Sequence, residues 1–254
     1  MAIHLGRLEI LRLMRRVLHP LVKERMVFET TFTEVDPWQL STSDWELGKY
    51  GLQLSLISDF RLDASEILEI GCAQGVFTSM LASKFVSARI LATDISMRAI
   101  SLAKQRTYAA NVTFLRSDIL TYISKIPPAY YDVIVVSEVI GHLRDRIPPK
   151  KLREFLLELA GKLAANGVLV TSNRTTFEPI RPIWKRVIGA LVGGSPYPES
   201  LGSYTDFLRA IMVEVSSRAF DECTIAVLKP REAPVRLTDN YSAVLDVNRR
   251  DSTK

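Results

Sequence analysis

The sequence Ile67-Leu68-Glu69-Ile70-Gly71-Cys72-Ala73-Gln74-Gly75 is an apolar run that ends in a turn of small residues. The run is typical of a buried strand, and Phe77, Leu81 and Phe85 then recur at helical spacing. A strand, a glycine turn and a helix bring backbone N–H groups to a helix N-terminus, where a nucleotide-like ligand can lie against them. Many α/β turns are glycine-rich for packing alone, so the spacing of later residues decides between the two interpretations.

Strands and helices alternate after this turn. Further strands are predicted at 89–94, 111–116, 131–138 and 168–172, the last of them after a turn at Ala165-Asn166-Gly167. Residues 211–219 and 224–228 are predicted as two final strands, and their short connection requires an antiparallel pair. The sequence therefore predicts an α/β fold, a doubly wound, seven-stranded and mostly parallel sheet with an antiparallel last strand.

Two carboxylates follow predicted strands. Asp94 ends the second strand, 19 residues after Gly75, and Asp118 comes directly after the third. Between them, Ser96 is suited to cap the helix that follows the second strand. In doubly wound nucleotide-binding folds an acidic residue near the position of Asp94 binds ribose hydroxyls, because a carboxylate can accept hydrogen bonds from both. This spacing favours ligand binding at the glycine turn.

Composition indicates a globular protein of ordinary type, with 254 residues, 47% hydrophobic and 24% charged. Its two cysteines, Cys72 and Cys223, argue against a disulfide framework and fit a reducing compartment. The sparse histidines and cysteines show no ligand spacing, so no metal site is expected. Three parts are predicted: N-terminal helices with an aromatic lid over 1–63, a core over 64–230 with an inserted cap at 174–200, and a flexible tail over 231–254.

The net charge of +5 is concentrated in residues 1–25 and 174–199. Arginines interrupt the apolar stretch at 3–22, so it can neither span a bilayer nor serve as a signal peptide, and a cytoplasmic location is expected. Residues 3–25 read as a basic amphipathic helix, which either makes peripheral membrane contact or packs over the cleft as a lid.

An aromatic-rich segment precedes the first strand. Phe28, Phe32, Trp38, Trp45 and Tyr50 lie among polar residues, and Ser43 or Asp44 is suited to begin a helix from Trp45. Composition alone leaves two interpretations, a ligand pocket or filling of the core, and favours the second.

The motif Glu69-x-Gly71-x-Ala73-x-Gly75, the two acids and the final hairpin together resemble class I S-adenosylmethionine-dependent methyltransferases over about residues 64–229. Asp36-Pro37-Trp38, then Glu46 and Tyr50, and later Ser137-Glu138-Val139 resemble the NodS branch, which N-methylates the amino sugar of a nodulation oligosaccharide. The chain departs from that pattern at Ala73, often glycine in relatives, and at Gly141-His142, where bulkier residues are usual.

The resemblance implies S-adenosyl-L-methionine as cofactor, with S-adenosyl-L-homocysteine as product, and a set of contacts. Asp94 would bind the ribose hydroxyls, Asp118 the adenine amino group, and the small residues of the turn the methionine part. The implied cofactor contacts are Tyr50, Glu69, Gly71, Cys72, Ala73, Gly75, Phe77, Asp94, Ile95, Ser117, Asp118, Ile119, Ser137, Glu138 and Val139.

Glu138 and His142 are the candidate catalytic residues, since both follow the fourth strand and either can take a proton from an acceptor amine or hydroxyl. The preferred acceptor is a small molecule or saccharide, methylated on N or O. Alternatives are RNA or protein, bound through the basic segments, and a nucleotide binder of the dehydrogenase type. An Asn/Asp-Pro-Pro-Tyr motif for methylating base amino groups is absent, which argues against nucleic acid. The acceptor's identity and the oligomeric state stay open.

Overall fold

The computed structural model describes residues 27–144, 147–174 and 201–231. The helices are α1 (Asp44–Arg61), α2 (Val76–Lys84), α3 (Met97–Arg106), α4 (Ile119–Tyr122), α5 (Val139–Arg144), α6 (Pro149–Ala160) and α7 (Leu201–Ile211), with a 3₁₀ turn at Ile123–Lys125. The strands are β1 (Glu66–Ile70), β2 (Arg89–Asp94), β3 (Val112–Arg116), β4 (Tyr131–Ser137), β5 (Leu163–Arg174), β6 (Met212–Phe220) and β7 (Cys223–Pro230). The predicted basic helix at 3–25, the tail at 231–254 beyond Arg231 and the cap at 174–200 beyond Arg174 lie outside the described residues.

The strands form one sheet in the order β3-β2-β1-β4-β5-β7-β6. Strands β1 to β5 pair with one another in parallel, whereas β7 runs antiparallel to both β5 and β6. The predicted fold class is therefore confirmed. The strand order reverses at β1, which lies between β2 and β4, and ligands bind at the carboxyl ends of the strands at such a point.

The sheet separates two hydrophobic layers because successive side chains of a strand point to opposite faces. Leu68, Ile134 and Val136 pack with helices α6 and α7 on one face. Ile67 and Val135 pack with α1 and α2 on the other face. Both central strands are thus buried on both sides, which fixes the positions at which they end.

Serine caps determine where two helices begin. The Ser43 hydroxyl accepts a hydrogen bond from the Glu46 backbone N–H at 3.4 Å and begins α1. The Ser96 hydroxyl accepts from the Ala99 backbone N–H at 3.2 Å and begins α3. Both starts match the positions expected from the sequence, since a serine oxygen satisfies a backbone donor that the first turn leaves unpaired.

Two predicted boundaries are wrong. Strand β5 begins at Leu163, and the pairing jumps from Tyr131 with Leu163 to Val133 with Val168, so the expected turn at 165–167 is a bulge within the strand. Strand β4 ends at Ser137, because Glu138 has φ of 59° and leaves extended geometry.

Within the described ranges, none of the helices has the length and hydropathy that a bilayer span requires. The same ranges contain no group of three histidine, cysteine or acidic side chains arranged to hold a metal ion.

Candidate cofactor and acceptor site

A cavity of about 600 Å³ opens at the carboxyl ends of β1, β2 and β4. Its volume is in the range of small-molecule sites. Most of the residues that the sequence nominated line it: Tyr50, Glu69, Gly71, Cys72, Ala73, Asp94, Ile95, Ser117, Asp118, Ile119, Ser137, Glu138, Val139 and His142. The fold therefore brings residues that are more than 90 positions apart in the chain to one cavity.

The turn after β1 is tied to β2. The backbone N–H groups of Gly71 and Cys72 donate to the Thr93 carbonyl at 2.8 and 3.0 Å. Gly71 has φ of 79°, and a Cβ there would overlap the Val139 side chain, so glycine is required for both reasons. This packing brings the first residue of α5 against the turn.

Gly75 and Phe77, which the sequence also nominated, lie outside the lining of the cavity. Gly75 begins α2 with φ of 78°, and a Cβ there would lie 2.9 Å from that of Ala103, so this glycine permits helix packing. Phe77 is buried and stacks on the Tyr50 ring with 5.1 Å between centroids. Both residues therefore support the cavity from behind, because helix and core packing already occupy their surroundings.

Asp94 is fixed by backbone donors. One carboxylate oxygen accepts from the Ser96 N–H at 2.9 Å and the other from the Ala73 N–H at 3.0 Å. Burial raises the pKa of Asp94 to about 6, against the opposing effect of these hydrogen bonds. Each oxygen retains acceptor capacity toward the cavity, which suits a ligand diol.

Glu69, near the end of β1, carries a buried carboxyl group. Its Oε2 accepts a hydrogen bond from the Thr78 hydroxyl at 2.6 Å. Burial raises its pKa to about 7, and Asp94 adds to the increase while the Thr78 bond opposes it. The bond from Thr78 links the end of β1 to α2 across the turn, and Glu69 also lines the cavity.

Asp118 has a structural task as well as a place in the lining. Its Oδ1 accepts from the Leu120 backbone N–H at 3.1 Å and caps α4. The preceding residue, Ser117, donates its N–H to the Asp94 carbonyl at 2.8 Å. These bonds hold the two acidic strand ends side by side.

Glu138 marks the other end of the cavity. Its backbone N–H donates to the Ser172 carbonyl at 2.7 Å, and its Oε2 accepts from the Arg174 N–H at 3.3 Å. Its Oε1 lies 3.6 Å from Lys49 Nζ and 3.6 Å from Cys223 Sγ. A non-glycine residue at positive φ is costly, so these contacts maintain a strained position at the site.

Lys49 and Arg174 line the same end. Arg174 begins the predicted cap at 174–200, whereas the sequence patterns assign no role to Lys49. Lys49 is only 1% exposed, although lysine at a helix position normally reaches solvent. The one available signal was its spacing of three from Glu46, another residue that is buried.

Aromatic side chains form the wall opposite the sheet. Phe28, Phe32 and Trp38 line the cavity, and the His142 ring meets Phe28 edge to face at 5.2 Å. The interpretation that composition favoured, filling of the core, is incomplete, because these aromatic residues shape a pocket. Of the three, only Phe32 is fully buried.

The residues present fit S-adenosylmethionine. Two carboxylates stand at one end for a ribose and an adenine amino group, small residues form the turn, and apolar side chains flank the space between. The donor set thus matches a molecule with a diol, a heteroaromatic ring and a charged amino acid part.

The NodS family model, described as Nodulation protein S (NodS), matches residues 22–225. Nodulation protein S of Bradyrhizobium diazoefficiens is 30% identical over 167 residues, which cover 65% of this chain and 75% of that protein. Malonyl-[acyl-carrier protein] O-methyltransferase of Bacillus cytotoxicus is 34% identical over 125 residues, 48% of this chain and 41% of that protein.

Among solved structures, N-methyltransferase NodS from Bradyrhizobium japonicum WM9 in complex with S-adenosyl-L-homocysteine has a TM-score of 0.60 at 25% identity. The match covers 82% of this chain and 98% of that one. Magnesium protoporphyrin IX methyltransferase from Synechocystis PCC 6803 shares the fold, with a TM-score of 0.59 at 17% identity over 84% of this chain and 100% of that one. The chain therefore belongs to the NodS family, a branch of the class I S-adenosylmethionine-dependent methyltransferases.

Proposed function

We propose that this methyltransferase transfers the methyl group of S-adenosylmethionine to an amino group of a saccharide-like small molecule. The observation that carries the proposal is the placement of Glu138, a carboxylate held in a strained position where the cavity meets its aromatic wall. The family supports methylation on nitrogen, since the NodS protein of known structure is named an N-methyltransferase.

The cofactor half of the site is assigned to the turn and the two acidic strand ends. Asp94 would bind the ribose hydroxyls, with Ile95 and Ile119 on either side of the adenine and Asp118 at its amino group. Glu69 and the residues Gly71 to Ala73 would hold the methionine part. When bound, the cofactor supplies an electrophilic methyl group on a positively charged sulfur.

The acceptor half is assigned to Glu138, His142 and the aromatic side chains of residues 28–38. The acceptor nitrogen forms its bond to the methyl carbon as the carbon–sulfur bond breaks, and Glu138 takes the proton that the nitrogen loses. The aromatic wall excludes water and aligns the amine, which is most of what such an in-line transfer requires from a protein. His142, packed edge to face on Phe28, would orient the acceptor.

RNA and protein are less well supported as acceptors. Their binding would use the basic segments at 1–25 and 174–199, which lie outside the described residues except for Arg174. The Arg174 guanidinium is engaged within the protein, 3.1 Å from Glu46 Oε1 and 4.6 Å from the Trp45 ring. This arginine is therefore paired with another residue of the cavity lining.

The test is methyl transfer from isotopically labelled S-adenosylmethionine to an oligosaccharide of glucosamine, followed by mass spectrometry. We expect one or more methyl groups on nitrogen, and none on the fully N-acetylated oligosaccharide, which lacks a free amine. The Glu138→Gln variant should lose most transfer and keep its affinity for S-adenosylhomocysteine. Label on oxygen in both oligosaccharides, or full transfer by Glu138→Gln, would contradict the proposal.

A further inference from the structure

A cluster of four charged side chains lies at the acceptor end of the cavity, and two of the four are buried. Its members are Glu46, Lys49, Glu138 and Arg174. Two are acidic and two are basic, so the cluster is neutral as a whole. Charges in such surroundings are retained when they are paired, because an unpaired buried charge is costly.

Lys49 connects the cluster. Its Nζ lies 2.7 Å from Glu46 Oε2, three residues earlier on α1. It also lies 3.6 Å from Oε1 of Glu138, the residue that follows β4. The ammonium also lies over two rings of its own helix, Trp45 at 4.9 Å and Tyr50 at 5.3 Å. These contacts hold Nζ rigidly, since both rings attract a cation and the Glu46 pair fixes its direction.

Glu138 is the acidic member of the cluster that reaches the open part of the cavity. The Arg174 side chain is 43% exposed and that of Glu138 is 25% exposed, whereas the side chains of Lys49 and Glu46 are 2% and 7% exposed. Its two oxygens face different donors, with Oε1 toward Lys49 and Oε2 toward the Arg174 backbone N–H. The carboxylate is therefore held from behind and presented to the acceptor.

We infer that Lys49 is a positioning residue: it holds the Glu138 carboxylate in the direction of the acceptor. The inference rests on the proposed function for its catalytic consequence, since Glu138 acts on the acceptor there. The ammonium attracts the carboxylate at this distance, and the attraction fixes the direction of the Glu138 side chain. Glu46 has a supporting part, because its own charge is shared between Lys49 and Arg174.

Other titratable and charged groups face Glu138. Helix α1 contributes Glu46, Lys49 and Tyr50, β5 contributes Arg174, the start of β7 contributes Cys223, and Glu222 and His142 line the same cavity. Burial raises the pKa of Tyr50 well above its usual range and that of Cys223 to about 11, so both stay neutral near neutral pH. Of these groups, Lys49 contributes the positive charge that lies 3.6 Å from the Glu138 carboxylate.

The test follows the Glu138 side chain directly, with no acceptor present. Crystal structures of the wild type, Lys49→Met and Lys49→Arg are compared, each with S-adenosylhomocysteine bound. In Lys49→Met the Glu138 carboxylate should turn away from its position beside the Arg174 N–H, and Lys49→Arg, which keeps the positive charge, should restore the wild-type position.

The matched control is Lys84→Met, an exposed lysine on α2, which should leave the Glu138 side chain in place. If Lys49→Met does not fold, Lys49→Gln replaces it in the same comparison. An unchanged Glu138 side chain after removal of Lys49, or an equal displacement in Lys84→Met, would overturn the inference.

A second measurement separates this inference from the proposed function. In the glucosamine oligosaccharide assay, Lys49→Met should lower kcat by about tenfold to a hundredfold while affinity for S-adenosylhomocysteine is kept, and Lys49→Arg should restore kcat. Loss of transfer in Glu138→Gln with an unchanged kcat in Lys49→Met would overturn the role of Lys49 alone. Full transfer by Glu138→Gln would overturn the proposed function, and the crystal structures would still decide on Lys49.

Discussion

Asp94 combines two tasks in one carboxylate. Its oxygens accept from Ala73 and Ser96, which fixes the turn after β1 and the start of α3, and they also face the cavity. A ribose diol would add two hydrogen bonds to a charged group, and such bonds contribute about 1.5–3 kcal/mol each. The affinity for the cofactor should therefore depend strongly on this side chain.

We predict that Asp94→Asn weakens binding of S-adenosylhomocysteine by about tenfold to a hundredfold, measured by isothermal titration calorimetry. Because the pKa of Asp94 in the free protein is about 6, wild-type affinity should fall as the pH drops below that value, and the variant should show less of this dependence. The exposed Asp59→Asn serves as control. Unchanged affinity in Asp94→Asn would remove Asp94 from the ribose site.

Glu69 gives the free protein a distinct pH dependence. Its pKa rises from 4.5 to about 7 on folding, so between these values the unfolded state binds fewer protons than the folded state. Stability is therefore expected to fall as the pH rises through this window. Urea denaturation should show a smaller decline in Glu69→Gln, whereas the exposed Glu34→Gln should follow the wild type. Equal declines in all three proteins would contradict the assignment.

Sequence patterns located the residues of the turn and of the strand ends, because spacing from a buried strand determines where its carboxyl end lies. The same reasoning missed Lys49. A lysine on an amphipathic helix predicts a solvent-facing position, and only the three-dimensional pairing with Glu46 and Glu138 shows otherwise. Gly75 fits a cofactor motif by spacing, yet its place against Ala103 depends on how α2 and α3 pack.

The segment at 27–43 is fastened over the cavity at two points. Glu29 accepts from the Met97 and Arg98 N–H groups at 2.9 and 3.2 Å, at the start of α3. Asp36 accepts from the Gln74 side chain and from the Leu40 N–H. Both attachments join the segment to the loops that the cofactor would contact, so the segment and the cofactor site are mechanically connected.

We predict that Asp36→Ala loosens this segment and speeds release of S-adenosylhomocysteine by about tenfold, since one net hydrogen bond contributes up to about 1.5 kcal/mol. Hydrogen exchange of residues 27–43 should quicken in the variant, and stopped-flow displacement measures the release. Glu34→Ala, an exposed neighbour, should change neither. Unaltered exchange in Asp36→Ala would show that the Glu29 attachment and the aromatic contacts hold the segment without Asp36.

Elements with strong local signals were predicted well from the sequence. The buried strands and the serine caps of α1 and α3 agree with the structure, because hydrophobic runs and capping residues act locally. The start of β5 was missed, since the bulge opposite Tyr131 forms only when β4 and β5 pair. A small-residue turn and a bulge have the same composition, and tertiary pairing decides between them.

At the scale of the molecule, the two ends of the sheet have different tasks. The carboxyl ends hold the cavity, and the amino ends are joined by Asp132, which accepts from the Ser65 N–H and Arg61 Nη2 at 2.8 Å each. Burial opposes ionisation, yet the hydrogen bonds from Ser65 and the charge of Arg61 outweigh it and lower the pKa of Asp132. This carboxylate links α1, β1 and β4 on the side away from the site.

We predict that Asp132→Ala lowers the free energy of unfolding by about 2–4 kcal/mol, because it leaves a nearly buried arginine and two backbone donors without their shared partner. Chemical denaturation measures the loss, with the exposed Asp59→Ala as control. Affinity for S-adenosylhomocysteine per folded molecule should stay unchanged. A variant as stable as the wild type would show that this linkage contributes little.

A crystal structure of the complex with S-adenosylhomocysteine shows directly how the cofactor lies in the cavity. We expect ribose hydroxyls within hydrogen-bonding distance of Asp94, the adenine between Ile95 and Ile119, and the sulfur turned toward Glu138. Adenosine at the Glu138 end of the cavity, or the ligand bound elsewhere, would contradict this placement of the cofactor.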